Sequence, residues 1–233
     1  MPRRRRLLVA GAAAVIVIAF LASGVALLLR SHQAPPALAL SSPVPSGSAS
    51  ALAGRWTVSD GSQVGYRAKE KFINQPAETE AVARTSKVTG SFVVSVSGAT
   101  VTVSQMTFKV DLASLTSQDK YANYQAYQRD FFVRSIYLQT GSFPTATFSA
   151  SSTSFPLPAS GPATVDVTGK LAVHGMTNQV IAHVQATGSG TNAEVAGSIS
   201  VDMRDFAIEP PDISFTKAEP AITIEFDLKL TRA

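Results

Sequence analysis

The chain contains no cysteine. That absence removes disulfides, thiolate nucleophiles, cysteine metal sites and a lipid-modified cysteine anchor together. Histidine is almost as scarce, with three in 233 residues. His32 falls in a Pro/Ser/Ala-rich stretch, so only His174 and His183 remain for a folded domain. Two histidines at such different positions, with no third, do not make a zinc site. There is no Gly-x-Ser-x-Gly elbow to present a nucleophilic serine. The sequence therefore gives no enzyme constellation, no cofactor motif and no metal site.

What is present divides sharply along the chain. Residues 3–6 are four arginines, and Leu7 to Leu29 follow without a charge. At about 1.5 Å per residue this run makes roughly 35 Å of helix, enough to cross a hydrocarbon core of about 30 Å. A cleaved signal peptide is the rival reading, because Gly24-Val25-Ala26 imitates a cleavage site. An uncleaved anchor fits the three leucines Leu27–Leu29 that follow. The arginines before the span keep the N-terminus cytoplasmic, and the rest of a single-pass chain at the cell membrane lies outside. Residues 30–54, rich in proline, serine and alanine and with Arg30 as their one charge, read as a disordered linker. Residues 55–233 hold fifteen cations against sixteen anions, so the basic balance of the whole chain belongs to its N-terminus. Such a domain has no basic footprint for nucleic acid.

That domain alternates apolar and polar residues almost throughout. Val165, Val167, Gly169, Leu171 and Val173 oppose Thr164, Asp166, Thr168 and Lys170; 193–203 and 221–231 repeat the pattern. Strict alternation means antiparallel strands with one dry and one wet face. Similar runs near 62–72, 86–98, 100–112, 144–152 and 178–188 bring the total to eight, which suggests an all-β antiparallel barrel. A barrel of eight strands either fills itself or holds one small ligand. Seventeen dry-face positions were compared, on the strands around 90–96, 165–173, 180–186 and 195–201. Fourteen are valine or smaller, which favours an apolar tunnel over a tightly packed interior. The exception to the β pattern is 117–138, where Tyr121, Tyr124, Tyr127 and Phe131 fall at helical intervals. They predict a short amphipathic helix at one mouth of the barrel.

Five segments carry a family resemblance. They are "WTVSDGSQVGYRAKEKF" (56–72), "KVTGSF" (87–92), "RDFFVRSIYL…FPTATF" (129–148), "GKLAVHGMTNQV" (169–180) and "RDFAI" (204–208). In this order they resemble YceI-like proteins, the lipocalin-like, polyisoprenoid-binding family of bacterial envelope proteins. The resemblance implies an eight-stranded barrel whose interior holds a long lipid such as a polyprenyl chain. The chain departs from the family pattern at Phe132, where many members carry histidine, and at Ala207, where they carry glycine.

The expected function is therefore a membrane-tethered extracytoplasmic barrel that holds or shuttles a long apolar lipid. A self-filled envelope domain without ligand is the alternative. Phe92, Val94, Tyr124, Phe131, Phe148, Leu171, Val173, Gly197, Ile199, Val201 and Phe226 are the expected lining of interior and mouth. Arg204 and His174 are candidate headgroup contacts, His174 being first of all a turn residue before Gly175. His183 falls on the wet face. Arg204 and Asp205 are adjacent, so on a strand they would face opposite sides.

Overall fold

The computed structural model describes residues 32–41, 52–73, 78–121, 126–213 and 216–232. The apolar run 7–29 and Tyr124 lie outside the described residues. Among those described, no helix is long and apolar enough to cross a membrane. The strands are β1 (Gly54–Val58), β2 (Gln63–Phe72), β3 (Thr79–Thr85), β4 (Val88–Ser97), β5 (Thr100–Asp111), β6 (Thr145–Pro156), β7 (Ala163–Val173), β8 (Met176–Ser189), β9 (Asn192–Asp202) and β10 (Thr216–Arg232). β1 and β2 lie in line along β10, and β3 and β4 form a second broken strand beside them. Counting each broken pair as one, eight antiparallel strands follow one another around the wall. Pairing of β10 with β9 on one side and with β1 and β2 on the other closes it. A separate two-residue ribbon pairs His32–Gln33 with Lys120–Tyr121.

The breaks have local causes. Between β1 and β2, Gly61 takes φ 88°, and the buried Ser62 hydroxyl bridges to the backbone of Lys229. In β5, Gln105 sits in the left-handed region at φ 53° and the register to β4 shifts there. This bulge lets Val103 and Met106, three apart, both join the core. In β10 the register to β2 slips between Ala218 and Ile222, and Pro220 occupies the slip, where a missing N–H costs no ladder bond.

The inward face is apolar. Trp56, Phe92, Val94, Val101, Met106, Val167, Ala182, Ile199, Leu228 and Leu230 are buried in one cluster. The interior glycines do not leave empty space opposite them. A Cβ on Gly90 would meet the Phe108 ring at 2.5 Å, one on Gly169 the Phe148 ring at 2.4 Å, and one on Gly197 the Phe226 ring at 2.8 Å. In two of the three cases glycine and ring are direct cross-strand partners. Each glycine is thus the seat of a phenylalanine from the next strand.

On the outer face one patch is dry. Ala196 and Glu225 are each 2% exposed although alternation points them outward. Ala34–Ser41, within the stretch read as a linker, lies over them and holds to the wall through its backbone. Pro35 O accepts from Arg67 Nη2, and Pro36 O accepts from Arg84 Nη2 at 2.5 Å. Leu38 N–H donates to Glu225 at 3.1 Å and Ser41 N–H to Glu194 at 2.5 Å. Glu225 in turn takes the Nε of Arg67 and of Arg84, each at 2.8 Å. Ala34, Pro35, Leu38 and Leu40 are half-buried there, and the peptide groups of the segment complete a set of desolvated charges.

The expected helix is shorter than 117–138. Thr116–Ser117 pairs with β3, and helix α1 spans Ala126–Phe132 before a wider, π-type turn at Val133–Tyr137.

Candidate functional site

Two regions could act: the apolar interior and the end of the barrel that carries α1. Part of the apolar lining of the interior is only half-buried. Val103, Val110, Phe148, Val165, Val180, Val184, Val195, Val201 and Phe226 pack against the buried cluster yet stay only half-buried. In a closed wall, surface left on inward side chains faces the lumen or its ends. Of the expected lining, Phe92, Val94, Leu171 and Ile199 are buried, while Phe148, Val173, Val201 and Phe226 are half-buried, all facing inward. Gly197 also faces inward but lies beneath the Phe226 ring. Phe131 does not join them. It is 58% exposed on α1, edge-to-face with Phe132.

Beyond Leu171 the lumen is closed by the turn Met203–Phe206 and the residues after it. Phe206 and Ile208, 3% and 7% exposed, pack on Leu171, Val173, Val201 and Ile224. Arg204 and Asp205 therefore lie on a helical turn and not on a strand. Arg204 is exposed and forks onto Asp202, with Nε at 2.9 Å and Nη2 at 2.5 Å. Those bonds hold the Asp202 carboxyl down at about 2.

His174 and Gly175 form a two-residue hairpin turn with φ of 52° and 78°, the left-handed pair that suits the twist of β7 and β8. His174 Nδ1 donates to Phe206 O at 3.1 Å, and the Phe143 ring packs edge-on at 4.7 Å. Its Nε2 is buried and has no hydrogen-bond partner among the described residues. His183 is exposed and reaches Asp166, its cross-strand partner, at 2.7 Å.

A buried ionic cluster under α1 escaped sequence reasoning. Arg129 Nη1 donates to Asp119 at 2.9 Å and reaches Glu70 at 3.4 Å; its Nη2 donates to Asp119 and its Nε to Ser117 Oγ at 3.0 Å. Asp119 also accepts Val82 N–H at 3.0 Å, and Asp130 accepts Ser117 N–H at 2.9 Å. Burial pushes the Glu70 carboxyl up to about 7 against the pull of Arg129, and Asp119 adds to the rise. Burial likewise raises the Tyr66 phenol well above its ordinary value. Burial works against the Arg129 charge, but the Asp119 bond more than offsets it. One cation thus serves two buried carboxylates, and the second holds its proton into the neutral range. Outside the barrel, a polar cleft of about 260 Å³ includes Arg84, Lys87, Thr85 and Ser114 in its lining.

The geometry defines the class: an all-β, closed barrel of eight antiparallel strands with an apolar interior and one short helix at one end. A family model described as the YceI-like domain matches residues 56–230, so the chain belongs to the YceI-like family. Among solved structures, a polyisoprenoid binding domain from Saccharophagus degradans implicated in plant cell wall breakdown matches with a TM-score of 0.55 and 14% identity. The match covers 78% of this chain and 99% of that one. BcnA of Burkholderia cenocepacia matches with a TM-score of 0.50 and 19% identity, covering 74% of this chain and 98% of its own. At such identities these likenesses show the fold. No curated protein matches the chain.

Proposed function

We propose that this protein is a membrane-tethered, extracytoplasmic barrel that holds or shuttles a long apolar lipid of the polyisoprenoid type. The observation that carries the reading is the lining: valines and phenylalanines that face inward in a closed wall and still keep part of their surface free. Each methylene drawn in from water contributes about 0.8 kcal/mol, so a chain of several isoprene units would bind without a polar contact. The polyisoprenoid binding of the Saccharophagus degradans domain supports the same ligand class. His174 Nε2, buried and unpartnered at the α1 end, is the candidate contact for a headgroup oxygen. The uncharged run 7–29 behind four arginines supports the tether and the outside placement.

The second reading, a self-filled envelope domain, is favoured by the rings of Phe108, Phe148 and Phe226 seated over the interior glycines. One experiment separates the two. The full chain and a Val184→Phe/Val195→Phe variant are purified side by side, extracted with organic solvent and analysed by mass spectrometry. The expected result is long-chain lipid in near-equal molar amount with the native chain and a strong loss in the variant. Equal lipid in both, or none in either, would assign the interior to packing alone.

A further inference from the structure

Seven large apolar side chains are exposed among the described residues, and six of them crowd one end of the barrel. Ile73 follows β2, whose Phe72 pairs with Thr216, and Ile213 pairs with that same Thr216. Met176 opens β8 beside the last residue of β7. Phe131, Phe132 and Ile136 belong to the helical segment between the end of β5 and the start of β6. The seventh, Ile181, is on the wall. The opposite end turns through Gly98-Ala99, Pro158–Gly161 and Gly190-Thr191, and exposes no large apolar side chain among the described residues. Scattered exposed apolar residues need no explanation, but a gathering at one pole marks a surface that meets something.

The docked segment bears on what that is. Ala34–Ser41 runs down the outer wall away from the α1 pole, starting beside Arg67 in the middle of β2. Pro35 and Pro36 are held by Arg67 and Arg84, and Ser41 by Glu194 and Lys229 farther along. Only four residues, Arg30 to Gln33, separate its start from Leu29, the last residue of the uncharged run. Fully extended, that gap spans roughly 17 Å. The direction of the docked segment leads its N-terminal end toward the apolar pole. The backbone bonds of the docked segment prevent the barrel from swinging away on a longer tether.

We propose that the α1 pole of the barrel rests on the lipid surface, with Phe131, Phe132, Ile136, Ile73, Met176 and Ile213 in the interfacial layer and the opposite turns in water. The proposal rests on the membrane tether in the reading above and adds to it an orientation. Phenylalanine and isoleucine at hairpin tips and on a short helix suit the headgroup–acyl boundary.

The absence of cysteine makes the test direct. Single-cysteine variants Ile73→Cys, Phe132→Cys and Ser160→Cys of the full chain are labelled with an environment-sensitive fluorophore. They are then reconstituted in phosphatidylcholine vesicles containing lipid with a spin-label quencher near the headgroup. Labels at 73 and 132 are expected to be quenched several-fold more than the label at 160. Equal quenching at both ends, or labels at 73 and 132 as wet as that at 160, would overturn the proposal. Lipid extraction of the same samples keeps the two conclusions apart. Quenched pole labels without internal lipid would reject the carrier reading and retain the orientation. Internal lipid with unquenched pole labels would reject the orientation alone.

Discussion

Ala207 stands where the backbone favours glycine. It caps the turn Met203–Phe206 at φ 54°, in the left-handed region, and its N–H closes onto Arg204 O and Met203 O. Because Ala207 is exposed, Ala207→Gly removes strain and no packing, and should raise stability by about 1 kcal/mol in denaturant unfolding. Glu70 gives a second expectation at this scale. Its carboxyl is raised from 4.5 to about 7 in the fold, so the folded state binds more protons than the unfolded chain between those values. Stability should be full below about pH 4.5, fall as pH rises toward 7 and level off above it. Glu70→Gln should remove that slope and match or exceed the native protein at pH 8, by on the order of 1–3 kcal/mol. A steep slope retained in the variant would assign it to another group. Glu70 was partly legible in the sequence. Val64, Tyr66, Ala68 and Glu70 alternate along β2, which puts an acid on the dry face. Its partners were not legible, because Asp119 and Arg129 lie far along the chain and meet Glu70 only through the fold. The turn role of His174 and the exposure of His183 followed from their places in the alternation.

At the scale of elements, alternation served wherever one face is dry and the other wet, as in β7 and β8. It failed at β3, where Ala81, Val82 and Ala83 are all buried and no period of two survives. The tunnel inference from small residues was right about which way they face. It could not foresee that phenylalanines from neighbouring strands would occupy the space above the glycines, since that depends on register. The docked segment Ala34–Ser41 was invisible for a related reason. It is held by peptide groups, and its Pro/Ala composition carries no trace of the arginines and glutamates it meets. Glu225 is the hub of that contact. Glu225→Ala should leave Arg67 and Arg84 buried together without their shared anion, at a cost of about 3–5 kcal/mol. Trp56, 1% exposed in the core, supplies the fluorescence signal for the unfolding curve. The same variant should be cleaved faster by protease within 34–52. An unchanged cleavage rate would mean that the segment is held by something other than this cluster.

For the whole molecule, a ligand that binds only the folded barrel must stabilise it by mass action. Stripping lipid with an apolar resin should therefore lower the unfolding temperature, and adding back a polyprenyl alcohol at 100 times its Kd should restore about 2.7 kcal/mol. A melting temperature indifferent to both treatments would speak for the self-filled reading. Eight strands, their closed barrel and the short helix were all readable before the structure; the breaks that divide β1 from β2 and β3 from β4 are what the structure adds. β10 pairs on both sides, but among the described residues β6 and β7 pair only at Thr147–Ser149 with Lys170–Ala172, so the rest of that seam leaves strand border outside the ladder. Recognition by strand addition is thereby steered to that seam and away from β8, β9 and β10, which pair along both edges. A partner that meets the rest of the barrel must grip side chains at its poles or on its outer face.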